Sequence, residues 1–265
     1  MLSAAIQYIG QVGVILSRNG FKLAVDPFLT PDAPGGPPTE WVRAYPPPVD
    51  ARDLTDLNLV LVTHEHGDHL DPVTLRAIAE ASPGCTFAGP DVCARILVEK
   101  GIPAERVVSL RHGEAFPCGG GLTVHPMPAW HEKRIVDAEG RDRFLGYMFD
   151  WDGITIYHAG DTLVDEALVS ALKPFRIDIG MLPINGRDLF RNRRNIDGNM
   201  NAREAADLAA DVGMDYVVPL HFDLYMNNSE GIVGFVGELF NRFRGQKYHI
   251  FQPGEVWVYV KTNEI

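Results

Sequence analysis

From residue 57 onward, short apolar runs suited to strands alternate with stretches of helical period. Residues 57–63 read LNLVLVT, a buried strand, and 72–81 read as a helix with Pro72 in its first turn. Further strands are expected at 86–88, 106–110, 122–128, 144–151, 153–158, 177–182, 217–220, 248–251 and 255–260. Helices are expected at 91–100, 163–172, 202–212 and 230–243, the third opened by Asn201 with Glu204 in capping-box spacing. Ahead of them, 4–9, 12–17 and 21–26 read as strands, with Asn19-Gly20 as a hairpin turn. Strand groups interleaved with helices make an α/β protein with helices layered on sheets. No linker or short repeat divides the chain, so 1–265 is read as one domain.

The balance of charge narrows the partners. Twenty-four basic against 35 acidic residues give a formal charge of −11, unsuited to general binding of nucleic acid or an anionic membrane. No apolar run reaches the roughly 18 residues of a membrane span. The N-terminus has no basic region ahead of its apolar stretch, unlike a signal peptide. Cys85, Cys93 and Cys118 are odd in number and lack metal-ligand spacing, as expected of reduced thiols in a cytoplasmic protein.

Residues 27–48 break the alternation. Eight of these 22 positions are proline, which excludes a central strand or a helix interior. The segment is either a surface connector or a stiffened flap over a site, using Phe28, Trp41 and Tyr45.

Chemistry concentrates in His64-Glu65-His66-Gly67-Asp68-His69, just past the 57–63 strand. Two histidines spaced by one residue share a side of extended chain, and Asp68 and His69 follow on a turn. Imidazoles and carboxylates together suit divalent transition metals. His131, Asp161 and His221 each follow a predicted strand, in MPAWHE, YHAGDT and VVPLHFD.

This pattern resembles the metallo-β-lactamase superfamily, whose HxHxDH signature HEHGDH matches. The resemblance implies a four-layer αβ/βα sandwich with metals at one edge of two facing sheets. It implies one metal on His64, His66 and His131, a second on Asp68, His69 and His221, and Asp161 bridging them. Such a pair holds a hydroxide as nucleophile, with Asp68 also a catalytic residue that orients it and moves a proton. Zinc or manganese fits the donors, and iron is compatible. Asp161 stands where β-lactamases of the superfamily commonly carry cysteine, and His66 where the diiron redox branch carries an acid.

AVDPF at 24–28, LVTHEHGDHLDP at 61–72, PINGRD at 183–188 and GNMNAREAADLA at 198–209 are most similar to the UlaG-like group of L-ascorbate-6-phosphate lactonases. That group is longer at its C-terminal end. The implied function is hydrolysis of a small anionic metabolite, a lactone or ester that is phosphorylated in the group. The alternatives are a phosphodiesterase or nuclease of the same superfamily and, in another class, a non-catalytic metal-binding protein. The group forms oligomers, so a homo-oligomer is expected.

Arg187, Arg191, Arg193 and Arg194 crowd eight residues. Arg187 and Arg191, with Asn185 and Asn199, are candidates for an anionic substrate group. A solvated or subunit-contact loop is the competing reading. His158 is expected to support the centre or pack, Asp26 to cap a turn or support a ligand, and His112, His125 and His249 to be structural. Asp223 and Tyr225 follow His221 closely enough to reach the site.

Overall fold

The computed structural model describes residues 1–31, 41–131 and 134–262. The proline-rich positions 32–40 therefore lie outside the described residues. The N-terminal sheet takes strands β1 (Leu2–Gly10), β2 (Gly13–Arg18), β3 (Phe21–Val25), β4 (Leu59–Leu61), β5 (Thr86–Gly89) and β6 (Val107–Ser109). The C-terminal sheet takes β7 (Phe116–Gly119), β8 (Leu122–Ala129), β9 (Phe144–Trp151), β10 (Ile154–His158), β11 (Ile179–Pro183), β12 (Tyr216–Leu220) and β13 (Lys247–Tyr248). The last strand, β14 (Val256–Lys261), returns to the first sheet beside β1. Among the described residues each sheet has seven strands, in the orders β14-β1-β2-β3-β4-β5-β6 and β13-β12-β11-β10-β9-β8-β7.

Local chemistry explains these elements. β2 and β3 meet at Asn19-Gly20, both at positive φ (51° and 77°), the backbone a tight right-twisted hairpin needs. Asp152-Gly153 does the same between β9 and β10, at 46° and 85°. Helices α1 (Pro72–Ala81) and α2 (Asp91–Glu99) cross between the parallel strands β4, β5 and β6. Asp71 caps α1 by accepting from Val73 N, and Pro72 fills the first turn, where no amide hydrogen is needed. On the other sheet lie α3 (Glu166–Leu172), the single turn α4 (Leu189–Asn192), α5 (Ala202–Val212) and α6 (Ile232–Arg242). The Asn201–Glu204 capping box forms in both directions, at 2.9 and 3.0 Å. Helix α3 starts at 166 rather than 163, because Asp165 turns its carboxylate onto the amides of Ala167 and Leu168.

Three apolar layers hold four layers of structure. Ile6, Leu16, Leu61, Tyr147, Phe149, Ile156 and Val218 pack between the sheets. Leu75, Ile78 and Leu97 seat α1 and α2, and Leu168, Ala205, Leu208 and Leu239 seat α3, α5 and α6. This is the αβ/βα sandwich that the sequence resemblance implies. At one end, β3, β4, β8, β10 and β12 release their chains toward a common point. Leu145 N donates to Thr63 O at 3.0 Å and Tyr147 Oη to Val62 O at 2.6 Å, which ties the two sheets together there. Among the described residues no helix is long and apolar enough to cross a membrane.

Candidate metal centre

Four loops deliver the candidate ligands. His64, His66, Asp68 and His69 follow β4, His131 follows β8, Asp161 follows β10 and His221 directly follows β12. The ligand atoms of His64, His66 and His131 lie within 4.8 Å of one another, as do those of Asp68, His69 and His221 and those of His64, His69 and Asp161. Asp161 Oδ2 is 3.3 Å from His221 Nε2, 3.4 Å from His69 Nε2 and 3.6 Å from His131 Nε2. The structure thus brings all seven candidates together, with Asp161 lying between the two triplets.

The backbone is shaped to do this. His221 (φ 60°) and Asp26 (φ 43°) occupy the left-handed region that side-chain-bearing residues rarely enter, a form of strain that clusters at functional sites. Gly160 (φ 61°) makes the turn into Asp161, and a Cβ there would stand 2.9 Å from Thr63 Cβ.

Outer hydrogen bonds fix the rings. The His69 Nδ1–H donates to Asp26 Oδ2 at 2.7 Å, and that of His131 to Gly198 O at 3.0 Å, so both rings turn Nε2 inward. Thr63 Oγ1 gives its single proton to Asp26 at 2.6 Å and can only accept from His64 Nδ1, 3.0 Å away. His64 Nε2 then faces His66 Nδ1 across 3.0 Å. His158 donates from Nε2 to Val12 O at 2.8 Å and accepts from Gly160 N at 3.1 Å, which supports the Asp161 turn.

Electrostatics follow from this crowding. Burial, then the neighbouring rings of His69 and His66, pushes His64 well below the usual imidazole range. Burial and His131 lower His66. Burial would lower His69 and His221, but the carboxylates facing them outweigh it and raise both. Burial would likewise raise Asp161 and Asp68, but the surrounding imidazoles hold both below the carboxylate range.

The donor set fits divalent cations. His69 Nε2, His131 Nε2 and Asp161 Oδ1 are buried with no hydrogen-bond partner among the described residues. Leaving such atoms unmet costs about 1–3 kcal/mol each, and divalent cations held by the two triplets would satisfy all three.

The centre floors a cavity of about 230 Å³. Trp41 and Tyr225 form one wall, ring edge to ring face at 5.2 Å between centroids. Asn195, Ile196, Asp197 and Asn228 line another part. Trp41 thus gives the proline-rich segment a place at the site. Tyr45 lies outside the cavity lining and binds Asp223 Oδ1 at 2.9 Å, beside Tyr8 Oη at 2.7 Å. Burial raises the Asp223 carboxyl.

None of the four residues expected to bind an anionic substrate lines this cavity. The Arg187 guanidinium spans both oxygens of Glu204, at 2.7 and 2.8 Å. Arg191 is buried against Asp188, Asn185 O (2.6 Å) and Asn228 Oδ1 (3.1 Å). Asn199 donates to Asn185 at 3.0 Å, and Asn185 to Asn228 at 3.2 Å, both fully buried. Acidic and carbonyl partners turn these side chains inward, so they brace the wall that carries Asn228. Asn195, Ile196 and Asp197 escaped the sequence reading because no local signal separates them from the arginine-rich stretch beside them, and Asn228 because nothing in its loop marks it. Gln11 carried one local signal, as a polar residue in a tight turn between two apolar strands.

Residues 23–222 match the beta-lactamase superfamily domain. A UPF0173 metal-dependent hydrolase of Pyrococcus horikoshii is 32% identical over 257 residues, 94% of this chain and 97% of that protein. The chain is a metal-dependent hydrolase of the metallo-beta-lactamase superfamily. The hydrolase is also 24% identical over 199 residues to a Salmonella choleraesuis protein named "Probable L-ascorbate-6-phosphate lactonase UlaG" (70% of this chain, 54% of that one). Its fold matches the crystal structure of isothiocyanate hydrolase from Delia radicum gut bacteria with a TM-score of 0.75 at 21% identity, over 96% of this chain and 98% of that one.

Proposed function

We propose that this hydrolase opens a small lactone or ester, with Asp68 handling the proton. The observation that carries the reading is the convergence of seven imidazole and carboxylate groups, three with bare buried ligand atoms, on the floor of a small cavity. His64, His66 and His131 would hold one divalent cation, Asp68, His69 and His221 a second, and Asp161 would serve both. Zinc and manganese suit these donors, and iron is compatible. When bound, such cations supply Lewis acidity and lower the pKa of water.

The chain's own groups do the rest. Asp68 lines the cavity and has Oδ2 pinned by Gln11 at 2.6 Å, so Oδ1 is left to take a proton and pass it to the leaving oxygen. Trp41, Tyr225 and Ile196 give the non-reacting part of the substrate an apolar surface, and the amides of Asn195 and Asn228 can orient its oxygens. The cavity lies below the roughly 300–1,000 Å³ of drug-sized pockets, which supports a small substrate. Its charged lining is acidic, with Asp68, Asp161 and Asp197, so an anionic substrate group would be read by the cations and not by arginine. The UlaG name adds weight to a lactone over other esters.

The test is proton release from a small uncharged lactone, its phosphorylated twin and a phosphodiester, with Zn²⁺ or Mn²⁺ added and Asp68→Ala as blank. Asp68-dependent turnover of a lactone supports the reading. Turnover of the phosphodiester alone overturns it.

A further inference from the structure

Gln11 sits in the turn between β1 and β2, buried and at φ 59°. It contributes no atom to the two candidate triplets, yet it touches both chains that complete one of them. Its Nε2 lies 2.6 Å from Asp68 Oδ2 and 3.2 Å from His221 Nε2. Its carbonyl accepts from His221 N at 2.9 Å. At 2.6 Å the amide nitrogen is within hydrogen-bond reach of that carboxylate oxygen, which has no proton of its own to donate as a carboxylate. The amide must therefore turn its N–H side to Asp68. The same side faces His221 Nε2, so one NH₂ group spans the gap between two candidate ligands 3.6 Å apart.

The turn is built for that reach. Tyr8 Oη, 3.2 Å from Gln11 O, is anchored on Asp223, two residues past His221. The β1–β2 turn is thereby fastened to the β12 loop through backbone and side chain alike. We propose that Gln11 is a positioning residue of the centre, whose amide sets the spacing of Asp68 and His221 and so the affinity of the half that these residues form with His69. This rests on the reading that Asp68, His69 and His221 hold a cation. Partners that orient ligands in this way are typically worth about 10–100-fold in metal affinity.

Two variants separate this role from a merely structural one. Gln11→Leu keeps an unbranched Cβ at the same positive φ and keeps the carbonyl bond to His221, but removes the N–H donor. Gln11→Glu keeps the shape and puts a carboxyl oxygen against Asp68, so that the pair must share a proton or repel unless a cation lies between them. Metal-free full-length protein is titrated with Zn²⁺ against a chromophoric chelator, and melting is followed with and without the metal.

The expected result is two equivalents in the wild type. In Gln11→Leu one equivalent weakens by about 10–100-fold and the other stays in place. In Gln11→Glu the metal-free protein melts lower and gains more from Zn²⁺ than the wild type does. Two unchanged equivalents in Gln11→Leu overturn the role of Gln11 while leaving the two-cation reading intact. Equal weakening of both equivalents also overturns it, as a general loss of structure. A single equivalent in the wild type, unaffected by His221→Ala, overturns the two-cation reading and the proposal with it.

Discussion

The Nδ1 of His69 and the Oδ2 of Asp26 stand 2.7 Å apart, both side chains wholly shielded from solvent. This contact decides which nitrogen of His69 is bare at the centre. In Asp26→Asn the carbonyl can still accept from Thr63 N, but the amide N–H₂ meets Nδ1 and drives the ring proton to Nε2, the atom a cation needs. Metal affinity and kcat are each expected to fall about 10–100-fold with the fold retained. Unchanged Zn²⁺ affinity by chelator competition would show that the pair does not orient the ring.

The aromatic wall is expected to act on binding and not on chemistry. Trp41→Ala removes the partner that meets Tyr225 at 5.2 Å. Aromatic contacts of this kind are worth about 0.5–1.5 kcal/mol beyond their buried area, so KM for the lactone should rise roughly 2–13-fold by the same arithmetic. Metal content should not change. A fall in kcat at constant KM would instead place Trp41 against the reacting atoms.

Arg187 and Glu204 are expected to matter for stability. Chiefly through its hydrogen bonds to Arg187, and against the opposing effect of burial, Glu204 is held below the ordinary carboxylate range. An acid depressed in the folded state stabilises above its unfolded pKa, about 4.3, and loses that contribution as the pH falls through the folded value. The pair is one-third exposed, so the effect should stay below about 1 kcal/mol, or a Tm shift of about 2–4 °C. The Tm gap between wild type and Glu204→Gln should be full at pH 7 and close below about pH 4. Arg187→Ala should leave KM unchanged; a selective rise in KM for a phosphorylated lactone would return Arg187 to the substrate.

What was legible in the sequence was local or strand-coupled. His64, His66, Asp68 and His69 lie in six residues, and His131, Asp161 and His221 each follow a strand, so fold and ligands emerge together. Asn201 and Glu204 form the capping box expected, because both ends of that motif lie in one turn. Gln11 stood out only as a polar residue in a turn between apolar strands; its role was not legible, because its partners Asp68 and His221 are 57 and 210 residues away and a left-handed turn aims it. The placement of the arginines was not legible for a related reason. A guanidinium's partner is chosen by tertiary placement, and Glu204 and Asp188 reach these side chains first.

Metal removal gives a thermodynamic check. A cation present at about 100 times its Kd stabilises the folded chain by about 2.7 kcal/mol, worth about 5–11 °C in Tm at roughly 2–4 °C per kcal/mol. Chelation should lower Tm by at least that much and abolish turnover, and added Zn²⁺ or Mn²⁺ should restore both. An unchanged Tm with persisting activity would remove cations from the account.

Asp161 stands between the two triplets, within 3.6 Å of His69, His131 and His221, so it tests the centre as a whole. The most direct measurement is metal content per chain in Zn²⁺-reconstituted wild type and Asp161→Ala, with lactone hydrolysis followed on the same samples. The account predicts two cations and turnover in the wild type, and in the folded variant loss of tight binding with activity down by at least about 100-fold. Wild-type turnover by Asp161→Ala, or by wild type carrying no bound cation, would contradict it.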